Sequence, residues 1–567
     1  MTTLDWIVLV LALGGIVAYG LYKSRNANTV ENYLRAGRQM PWYAMALSIM
    51  ATQASAITFI STTGQAYVDG MRFVQFYFGL PLAMIILSAT AVPIFHKANV
   101  YTAYEYLEQR FDGKTRSLVS LIFLISRGLG VGVALSAPAI VLAIIFGWND
   151  TVTSLVVGAV VVTYTAIGGV QAVTWTDFQQ MLIMFAGIIF AFFLALWLMP
   201  SDISFPDALS LAGAAGRLNA VTTSADWNDR YTLWSGLLGG MFLALAYFGT
   251  DQSQVQRYLQ GKNITHSRIS LLFNAVVKIP FQFLILLVGT LVFVFFIFEK
   301  PPVLFQPEAM SAITSPAFAQ RFAPLAERYN AAHEARKRAA RDLLVADESG
   351  DVVASEQSVV RFQEAVRDVT ETRREAGVLA AEATGDANRV NDTNYIFLHF
   401  VTKYMPAGIV GLLMAAILAA AMSTISAEVN SLATVTVVDI YRRIKTNGSD
   451  GHYLWASRFF TLLWGAYAVA IADYAKNLGS LIEVVNRVGS LFYGSMLGVF
   501  ILAFYMRRIG SNAAFWGVIC GQVAIFAGNY YTDISYLWFN VIGCLVVVGT
   551  AWLLQGLDRK PPEPQTA

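Results

Sequence analysis

Residues 48–63 read SIMATQASAITFISTT and lie inside an otherwise apolar run that follows Pro41. Uncharged oxygen-bearing side chains and small residues thus occupy the middle of a segment long enough to cross a bilayer. At that depth, polar groups face other protein segments or a water-filled cavity. Backbone that unwinds beside them would present carbonyl oxygens suited to a hard cation. The alternative is ordinary packing of small residues between helices.

A second apolar segment repeats this pattern. Residues 419–431 read AAAMSTISAEVNS. Ala420, Ser423, Thr424 and Ala427 fall on one helical face, which combines small residues with two hydroxyls. Hard cations prefer such oxygen ligands. Packing of small residues against a neighbouring helix is again the alternative, and neither segment is diagnostic on its own.

The composition places both segments in a membrane protein. The chain has 567 residues, of which 56% are hydrophobic and only 13% charged, whereas soluble domains carry about 25% charged residues. This excludes an ordinary soluble enzyme and makes membrane lipid the surrounding partner. The net charge of +2 shows no nucleic-acid footprint. The five histidines form no metal-ligand cluster in the sequence, so metalloenzyme chemistry is not expected.

About thirteen runs are long and apolar enough to span a bilayer, which needs about 20 residues each. They lie near 4–22, 42–66, 75–96, 117–147, 151–170, 175–199, 232–250, 269–298, 405–440, 454–475, 479–506, 510–528 and 532–554. The first run resembles a signal peptide in length, but Asp5 lies at its start and basic residues follow it. We therefore expect a retained helix at 1–22.

Basic residues in the short loops predict the orientation. They concentrate on alternate connections: Lys23, Arg25, Arg35 and Arg38; Lys97, Arg110, Lys114 and Arg116; Arg257, Lys262 and Arg268; Arg442, Arg443 and Lys445; Arg507 and Arg508. Loops on the opposite side carry few basic residues. The positive-inside rule then places the N-terminus outside and the C-terminus in the cytoplasm of a multi-pass plasma (inner) membrane protein.

One segment departs from the apolar composition. Residues 300–393 are rich in Ala, Glu, Arg and Asp, and we expect a soluble insertion on the outer face. Two stretches with charges at helical spacing, 316–346 and 355–384, flank a turn at 347–351, which predicts a helical hairpin. The hairpin is either a lid or partner module, whose partner is unknown, or a tolerated loop insertion.

Four stretches together resemble the sodium/solute symporter family, which includes sodium/sugar, sialic acid, iodide and monocarboxylate cotransporters. They are residues 48–63, residues 164–177 (YTAIGGVQAVTWTD), residues 250–257 (TDQSQVQR) and residues 423–441, which end in VVDIY. Residues 101–111 (YTAYEYLEQRF) are also similar to a segment shared by the iodide, monocarboxylate and sialic acid branches. The resemblance spans about residues 5–555 apart from the insertion.

This resemblance implies an all-α fold with an inverted five-plus-five repeat and a site reached alternately from each side. The repeats would be 42–199 and 232–506, the latter interrupted by the insertion, and 510–554 would add two C-terminal helices. It also implies Na+ coupling. The common sodium site falls on carbonyls of Ala51, Ala54 and Ala420 and on hydroxyls of Ser423 and Thr424. A second site, present in some members, would use Asp177, Ser423 and Ser426, but another of its hydroxyl positions is Ala427 here.

The same resemblance suggests residues that contact the solute. Ser55 and Thr58 match polar positions of sialic acid members, whereas Tyr247 and Lys278 match the inner-gate tyrosine and a binding lysine of sugar members. The acidic residue of those sugar members corresponds to Tyr77 here, which argues against a hexose. Further polar candidates are Gln53, Gln75 and Asn486.

Arg127 lies about ten residues into the predicted span 117–147. An arginine at the centre of a span costs roughly 2.5 to 3.5 kcal/mol on insertion scales unless it is paired or solvated. Its partner is either a carboxylate-bearing solute or a structural group of the protein. Asp177 and Glu428 could likewise be the acids of structural ion pairs.

The leading functional hypothesis is a secondary symporter that imports a small polar organic solute, such as a sugar, a sugar acid like sialic acid, or a carboxylate. An ATP-driven pump is disfavoured, because Gly113-Lys114-Thr115 lacks the first glycine of a phosphate loop, with Glu108 in its place. An enzyme would need a nucleophile with its base or a metal cluster, and neither is visible. The alternative is a transporter-like membrane sensor, although only about a dozen residues follow the last span, too few for an output domain.

Overall fold

The computed structural model describes residues 1–25, 27–146, 150–385, 391–475 and 480–557. Three parts of the predicted elements lie outside this description. They are residue 147, where one predicted span ends, residue 479, where another begins, and residues 386–390 of the insertion. The described residues are helical throughout and contain no strand, apart from one isolated bridge between Met40 and Gly261.

The N-terminal part of the chain forms ten α-helices within the described residues. They are α1 (Thr3–Lys23), α2 (Val30–Arg35), α3 (Trp42–Gln53), α4 (Ala56–Asp69), α5 (Leu80–Ala89), α6 (Ala91–Ala98), α7 (Ala103–Arg110), α8 (Gly113–Phe146), α9 (Asp150–Trp197) and α10 (Phe205–Ala214). A 3-10 helix, Gly70–Tyr77, joins α4 to α5.

The rest of the described chain continues in the same way. Its helices are α11 (Gly240–Gly249), α12 (Gln252–Tyr258), α13 (Ile264–Phe298), α14 (Pro307–Ile313), α15 (Ala319–Ser349), α16 (Val352–Thr384), α17 (Thr393–Tyr404), α18 (Ile409–Val435), α19 (Arg442–Ile444), α20 (Asp450–Ala475), α21 (Leu481–Tyr505), α22 (Ser511–Tyr531) and α23 (Tyr536–Leu557). A π-helical stretch, Ser235–Gly239, leads into α11.

Ten helical stretches of the described chain are long and apolar enough to cross a membrane, which confirms a multi-span protein without fixing the number at thirteen. The predicted spans 151–170 and 175–199 are joined in α9, whose 48 residues would extend about 70 Å at 1.5 Å per residue. Gly169 breaks this helix with φ +57°. Only glycine suits the position, because a Cβ there would collide with the Tyr33 carbonyl.

Two of the predicted spans are interrupted where polar residues occur. The span 42–66 divides into α3 and α4, with Ala54 (φ −86°, ψ 74°) and Ser55 (φ −77°, ψ 173°) between them. The span 232–250 ends as α11, and α12 begins after Thr250 and Asp251, both buried. Both breaks lie beside buried polar residues, so the interior of the protein contains unwound backbone at two places.

The fraction of buried residues in each span identifies α18 as the central helix. In the most apolar window of the span that contains α18, 89% of the residues are buried, against 22% for α1 and 28% for α20. Helix α18 contacts α3, α8, α9 and α12, and is therefore surrounded by other helices. A helix enclosed in this way can carry serines, threonines and an acid at membrane depth without exposing them to lipid.

The insertion contains α14 and two long antiparallel helices, α15 and α16, which we call the hairpin. Its side chains join the apolar clusters of the protein: Leu343 and Phe362 lie in the main core, and Tyr329 lies in a second cluster with residues of α14. The hairpin also reaches α10, where Gln363 donates a hydrogen bond to the Ala214 carbonyl (2.8 Å). It is thus packed onto the helical body along much of its length.

Candidate functional site

Two of the residues predicted to hold sodium, Ala420 and Thr424, lie on α18 where this helix contacts the end of α3. The Thr424 hydroxyl lies 3.2 Å from the Thr52 carbonyl oxygen and 3.3 Å from that of Ala420. Because α3 stops at Gln53, its last carbonyls have no amide one turn further along to bond to them. Ala51, Ala54, Ala420, Ser423 and Thr424 are all buried. The Thr424 hydroxyl and two carbonyl oxygens lie close together here, and uncharged oxygens of this kind are ligands that a hard cation such as sodium accepts.

Asp177 lies beside this site and contacts its serine. Its Oδ1 accepts a hydrogen bond from the Ser423 hydroxyl (2.7 Å), and its Oδ2 accepts one from the Ser48 hydroxyl (2.6 Å). The guanidinium of Arg257 lies 3.9 Å from Oδ2, and both charged side chains are fully buried. The Ser426 hydroxyl points elsewhere and donates to the Ser423 carbonyl (3.0 Å).

Arg127 has protein partners on three helices or their ends. It bonds to Glu428 of α18 (2.7 Å), to Asp251 at the second helix break and to the Tyr493 hydroxyl of α21. Its guanidinium also lies over the Tyr247 ring, 5.3 Å from the centroid. The structure therefore shows the structural partners that the sequence left open, and the charge of Arg127 is balanced without a solute. Neither Asp251 nor Tyr493 was a predicted site residue, although Asp251 stands in the motif at 250–257 as an acid in an apolar setting.

Lys278 on α13 is in the opposite situation. It is fully buried, and its ammonium nitrogen has no hydrogen-bond partner among the described residues. Its nearest recorded neighbours are the rings of Tyr77 (5.3 Å to the centroid) and Phe281 (5.9 Å). Asn274 and Gln282, one turn below and one turn above, are also fully buried, and neither end of either amide has a partner in the described chain. The sequence analysis missed these two amides, although their spacing of four from Lys278 was visible.

The remaining predicted solute residues divide into those whose polar atoms have hydrogen-bond partners and those with a polar atom that has none among the described residues. Gln75 is satisfied, because it donates to the Tyr231 carbonyl (2.8 Å) and accepts from the Thr222 amide (2.9 Å), and so fixes a loop. The Tyr247 hydroxyl accepts from Gln254 (2.8 Å). In contrast, the side-chain oxygen of Gln53 and the side-chain nitrogen of Asn486 have no partner among the described residues.

Ser55 and Thr58 belong to the first helix break. Ser55 precedes α4 with an extended backbone, and its carbonyl accepts from the Thr58 amide (2.9 Å). Both side chains are buried. They therefore line the same break as the sodium-site carbonyls, whereas Gln75 and Arg127 are engaged in bonds of their own.

The level of Lys278 can be estimated from the helix contacts. Gly289 of α13 touches the Thr63 carbonyl of α4, where a Cβ would not fit. At 1.5 Å per residue, Lys278 lies about 16 Å below that contact and the break at Ala54 and Ser55 about 13 Å below it. Measured along the helix axes, the level of Lys278 is thus within about one helical turn of the level of the break.

Comparisons with known proteins identify the family of this chain. The sequence model described as "Sodium:solute symporter family" matches residues 33–318 and 372–521. The "Sodium/sialic acid symporter NanT" of Aliivibrio fischeri is 25% identical over 97% of this chain and 92% of its own length. The human "Sodium-coupled monocarboxylate transporter 1" is 26% identical over 91% of this chain and 72% of its own length.

A solved structure supports the fold. The substrate-bound outward-open structure of a Na+-coupled sialic acid symporter matches with a TM-score of 0.76 at 22% identity, covering 99% of both chains. The family model leaves residues 319–371 unmatched, which include all of α15 and part of α16. Because the family model covers most of the chain, the protein belongs to the sodium:solute symporter family, and its coupling ion is Na+.

Proposed function

We propose that this symporter carries a small organic solute with a carboxylate group and that Lys278 binds that carboxylate. The supporting observation is that the ammonium of the fully buried Lys278 has no hydrogen-bond partner in the described part of the chain. A buried charge without a counter-charge is strongly unfavourable. A solute that brings an anion would remove this penalty, whereas a neutral sugar would not.

Arg127 is the less suitable anion site. Two carboxylates and a tyrosine hydroxyl already surround it. A solute anion would have to displace one of these carboxylates or share the arginine with them. The amides of Asn274 and Gln282 flank Lys278 on the same helical face, and they suit hydroxyl or carbonyl groups of the solute.

The relatives point to the same chemistry. Their names specify sialic acid and monocarboxylates, and these two kinds of solute share a carboxylate group. Ser55, Thr58 and Gln53 at the first break would complete the site, with Asn486 as a further contact. The proposed sodium ligands are the carbonyls of Ala51, Ala54 and Ala420 and the hydroxyls of Ser423 and Thr424.

The uptake experiment uses purified protein in proteoliposomes with and without a sodium gradient. Carboxylates of increasing size, each matched with its neutral amide, compete for uptake. Lys278→Gln should weaken the carboxylate about 10- to 100-fold, since a hydrogen bond to a charged group contributes about 1.5 to 3 kcal/mol, and should change the amide little. The exposed Lys403→Gln is the control. Equal competition by acid and amide would contradict the proposal.

We further propose the orientation given by the basic loops, with the N-terminus outside, the C-terminus in the cytoplasm and the hairpin on the outer face. The apolar residues exposed on the helical body, such as Leu11, Trp197 and Val276, would contact membrane lipid. In this function the protein is a transporter without enzymatic activity. Labelling of single cysteines placed at Val345 in the hairpin and at Ile444 tests the orientation, since only the first should react with an impermeant reagent from outside.

A further inference from the structure

Asp177 and Arg257 form a charge pair in the interior, next to the proposed sodium site. The two side chains come from different elements, since Asp177 lies in α9 and Arg257 in the short α12 that follows the second helix break. Both are fully buried, and Nε of Arg257 lies 3.9 Å from the carboxylate. None of the three guanidinium nitrogens has a hydrogen-bond partner among the described residues. Asp177 therefore has a positive charge of the protein itself beside it.

The residues around Asp177 do not fit a second sodium ion. A sodium site needs several oxygen lone pairs directed at one point. Each carboxylate oxygen of Asp177 accepts one hydrogen bond, from Ser48 or Ser423, and keeps a further lone pair, so the number of other oxygens nearby decides the fit. The Ser426 hydroxyl donates to a carbonyl of its own helix, and position 427 is an alanine with no oxygen to offer. A further cation would also lie close to the guanidinium of Arg257, which would repel it.

Ser423 connects this pair to the proposed sodium site. Its hydroxyl hydrogen points at Asp177, which leaves the oxygen lone pairs free for another partner. Thr424, the next residue, carries the neighbouring hydroxyl of the proposed sodium site. A carboxylate that orients a ligand in this way typically changes metal affinity about 10- to 100-fold when it is removed.

We propose that Asp177 positions Ser423 for a single sodium ion and that Arg257 supplies the positive charge that a second sodium would otherwise bring. One sodium then moves with each solute. The inference rests on the proposed function, because it needs sodium-coupled uptake to occur. It makes Asp177 and Arg257 positioning residues that do not contact the transported ion or the solute.

The pair also links the proposed ion site to the second helix break. Arg257 belongs to α12, a helix of seven residues on the inner side of the second break. A change in the position of Asp177 when sodium leaves Ser423 would reach α12 through Arg257. This is a direct physical connection between the proposed ion site and the second broken helix.

The test is the number of sodium ions per solute, measured from reversal potentials in proteoliposomes. The wild-type protein should give one sodium and a sodium Hill coefficient of one. Asp177→Asn should leave both values at one and raise the half-saturating sodium concentration about tenfold or more. Asp202→Asn, an exposed acid, is the matched control and should change nothing.

Arg257 is tested by two substitutions of different charge. Arg257→Lys keeps the positive charge and should retain most of the sodium affinity, whereas Arg257→Gln should lose it to the same extent as Asp177→Asn. This difference distinguishes a counter-charge from a packing role, in which both substitutions would be equally harmful.

A wild-type ratio of two sodium ions that falls to one in Asp177→Asn would overturn the inference while leaving the proposed function intact. Absence of any sodium-driven uptake by the wild type would instead refute the proposed function. If the substituted proteins fail to insert, the wild-type ratio alone decides the question.

Discussion

Arg373 offers a sharp test of how firmly the hairpin is attached to the transporter. It pairs with Asp392 (2.8 Å) and donates to the Val303 carbonyl (2.9 Å). Its guanidinium lies over the rings of Phe305 (4.9 Å) and Tyr67 (5.9 Å). Tyr67 belongs to α4, the second half of the first broken helix. One side chain of the hairpin thus contacts both the neighbouring loop and a helix of the transport site.

The expected magnitude follows from burial. Removing one partner of a fully buried ion pair costs about 3 to 5 kcal/mol. The side chains of Arg373 and Asp392 remain 15% and 11% exposed, so water screens the pair slightly. We therefore expect Arg373→Gln to destabilise the protein by about 2 to 3 kcal/mol. Adding Asp392→Asn to this variant should lower the stability little further, because the two substitutions remove the same interaction.

The adjacent arginine is the control. Arg374 is 62% exposed and pairs with Glu371 on its own helix, an arrangement that contributes about 0.5 kcal/mol or less. Thermal unfolding followed by tryptophan fluorescence in nanodiscs compares the two glutamine variants and the double variant. Equal unfolding temperatures for Arg373→Gln and Arg374→Gln would refute the argument that the hairpin is anchored through this pair. Loss of stability with additive effects of Arg373→Gln and Asp392→Asn would refute the pair itself.

Three further outcomes are expected. Ser423→Ala and Thr424→Ala should each raise the sodium concentration needed for half-maximal uptake. The protein should stay folded, since each substitution removes one oxygen without opening a large cavity. Unchanged sodium dependence in both variants would reject the proposed sodium site. Arg127→Gln should lower the yield of folded protein, because it leaves the buried Asp251 and Glu428 unpaired, at a cost of about 3 to 5 kcal/mol. It should weaken the binding of an acid and of its amide equally. A selective loss of binding of the acid would instead assign Arg127 to the solute site. Burial and the positive charge of Arg336 lower the pKa of His333 in the hairpin to about 4. Its contribution to stability is then complete above about pH 6.5 and is lost as the pH falls towards 4, so thermal unfolding of His333→Asn should depend less on pH in that window.

The sequence predicts the membrane spans and the sodium ligands for different reasons, and the ligands stay a prediction. Spans follow from the length of apolar runs, which any single stretch reveals. The oxygen-rich segments at 48–63 and 419–431 indicate that polar groups lie within the membrane. The family resemblance then suggests which individual positions are ligands. The breaks were predicted less accurately than the spans. The interruption at Ala54 and Ser55 lies within an expected span, and α12 was not predicted as a separate helix.

Charge pairing could not be predicted from the sequence. Arg127 lies 301 positions from Glu428 and 124 from Asp251, and no local pattern connects residues so far apart. The sequence therefore left a solute and a structural partner equally open for Arg127. It treated Lys278 in the same way, yet the structure gives the two cations opposite surroundings. Only the packing of α8, α13 and α18 decides which positive charge is already balanced.

The hairpin shows a related difference. Its helices follow from charge spacing, but its attachment depends on residues distant in sequence. Arg336 donates to the Phe296 carbonyl at the C-terminal end of α13 (2.5 Å), and Tyr329 donates to the Pro301 carbonyl (3.1 Å). Deleting residues 316–384 would remove these bonds and Arg373 together. Loop length alone predicts a tolerated deletion, whereas these contacts predict that the deletion loosens the C-terminal ends of α4 and α13.

The two helix breaks carry different parts of the coupling. At the first break, the Thr424 hydroxyl of α18 donates to the Thr52 carbonyl at the end of α3 (3.2 Å). A sodium ion at the proposed site would add further bonds between these two helices. At the second break, Asp251 bonds to Arg127 and thereby to Glu428 of α18, and Arg257 faces Asp177. Helix α18 and its partner Asp177 are therefore connected to both breaks. Loss of sodium would weaken the contact of α18 with the first break while the charge pairs at the second break remain, and this asymmetry gives the empty and loaded transporter different preferred arrangements.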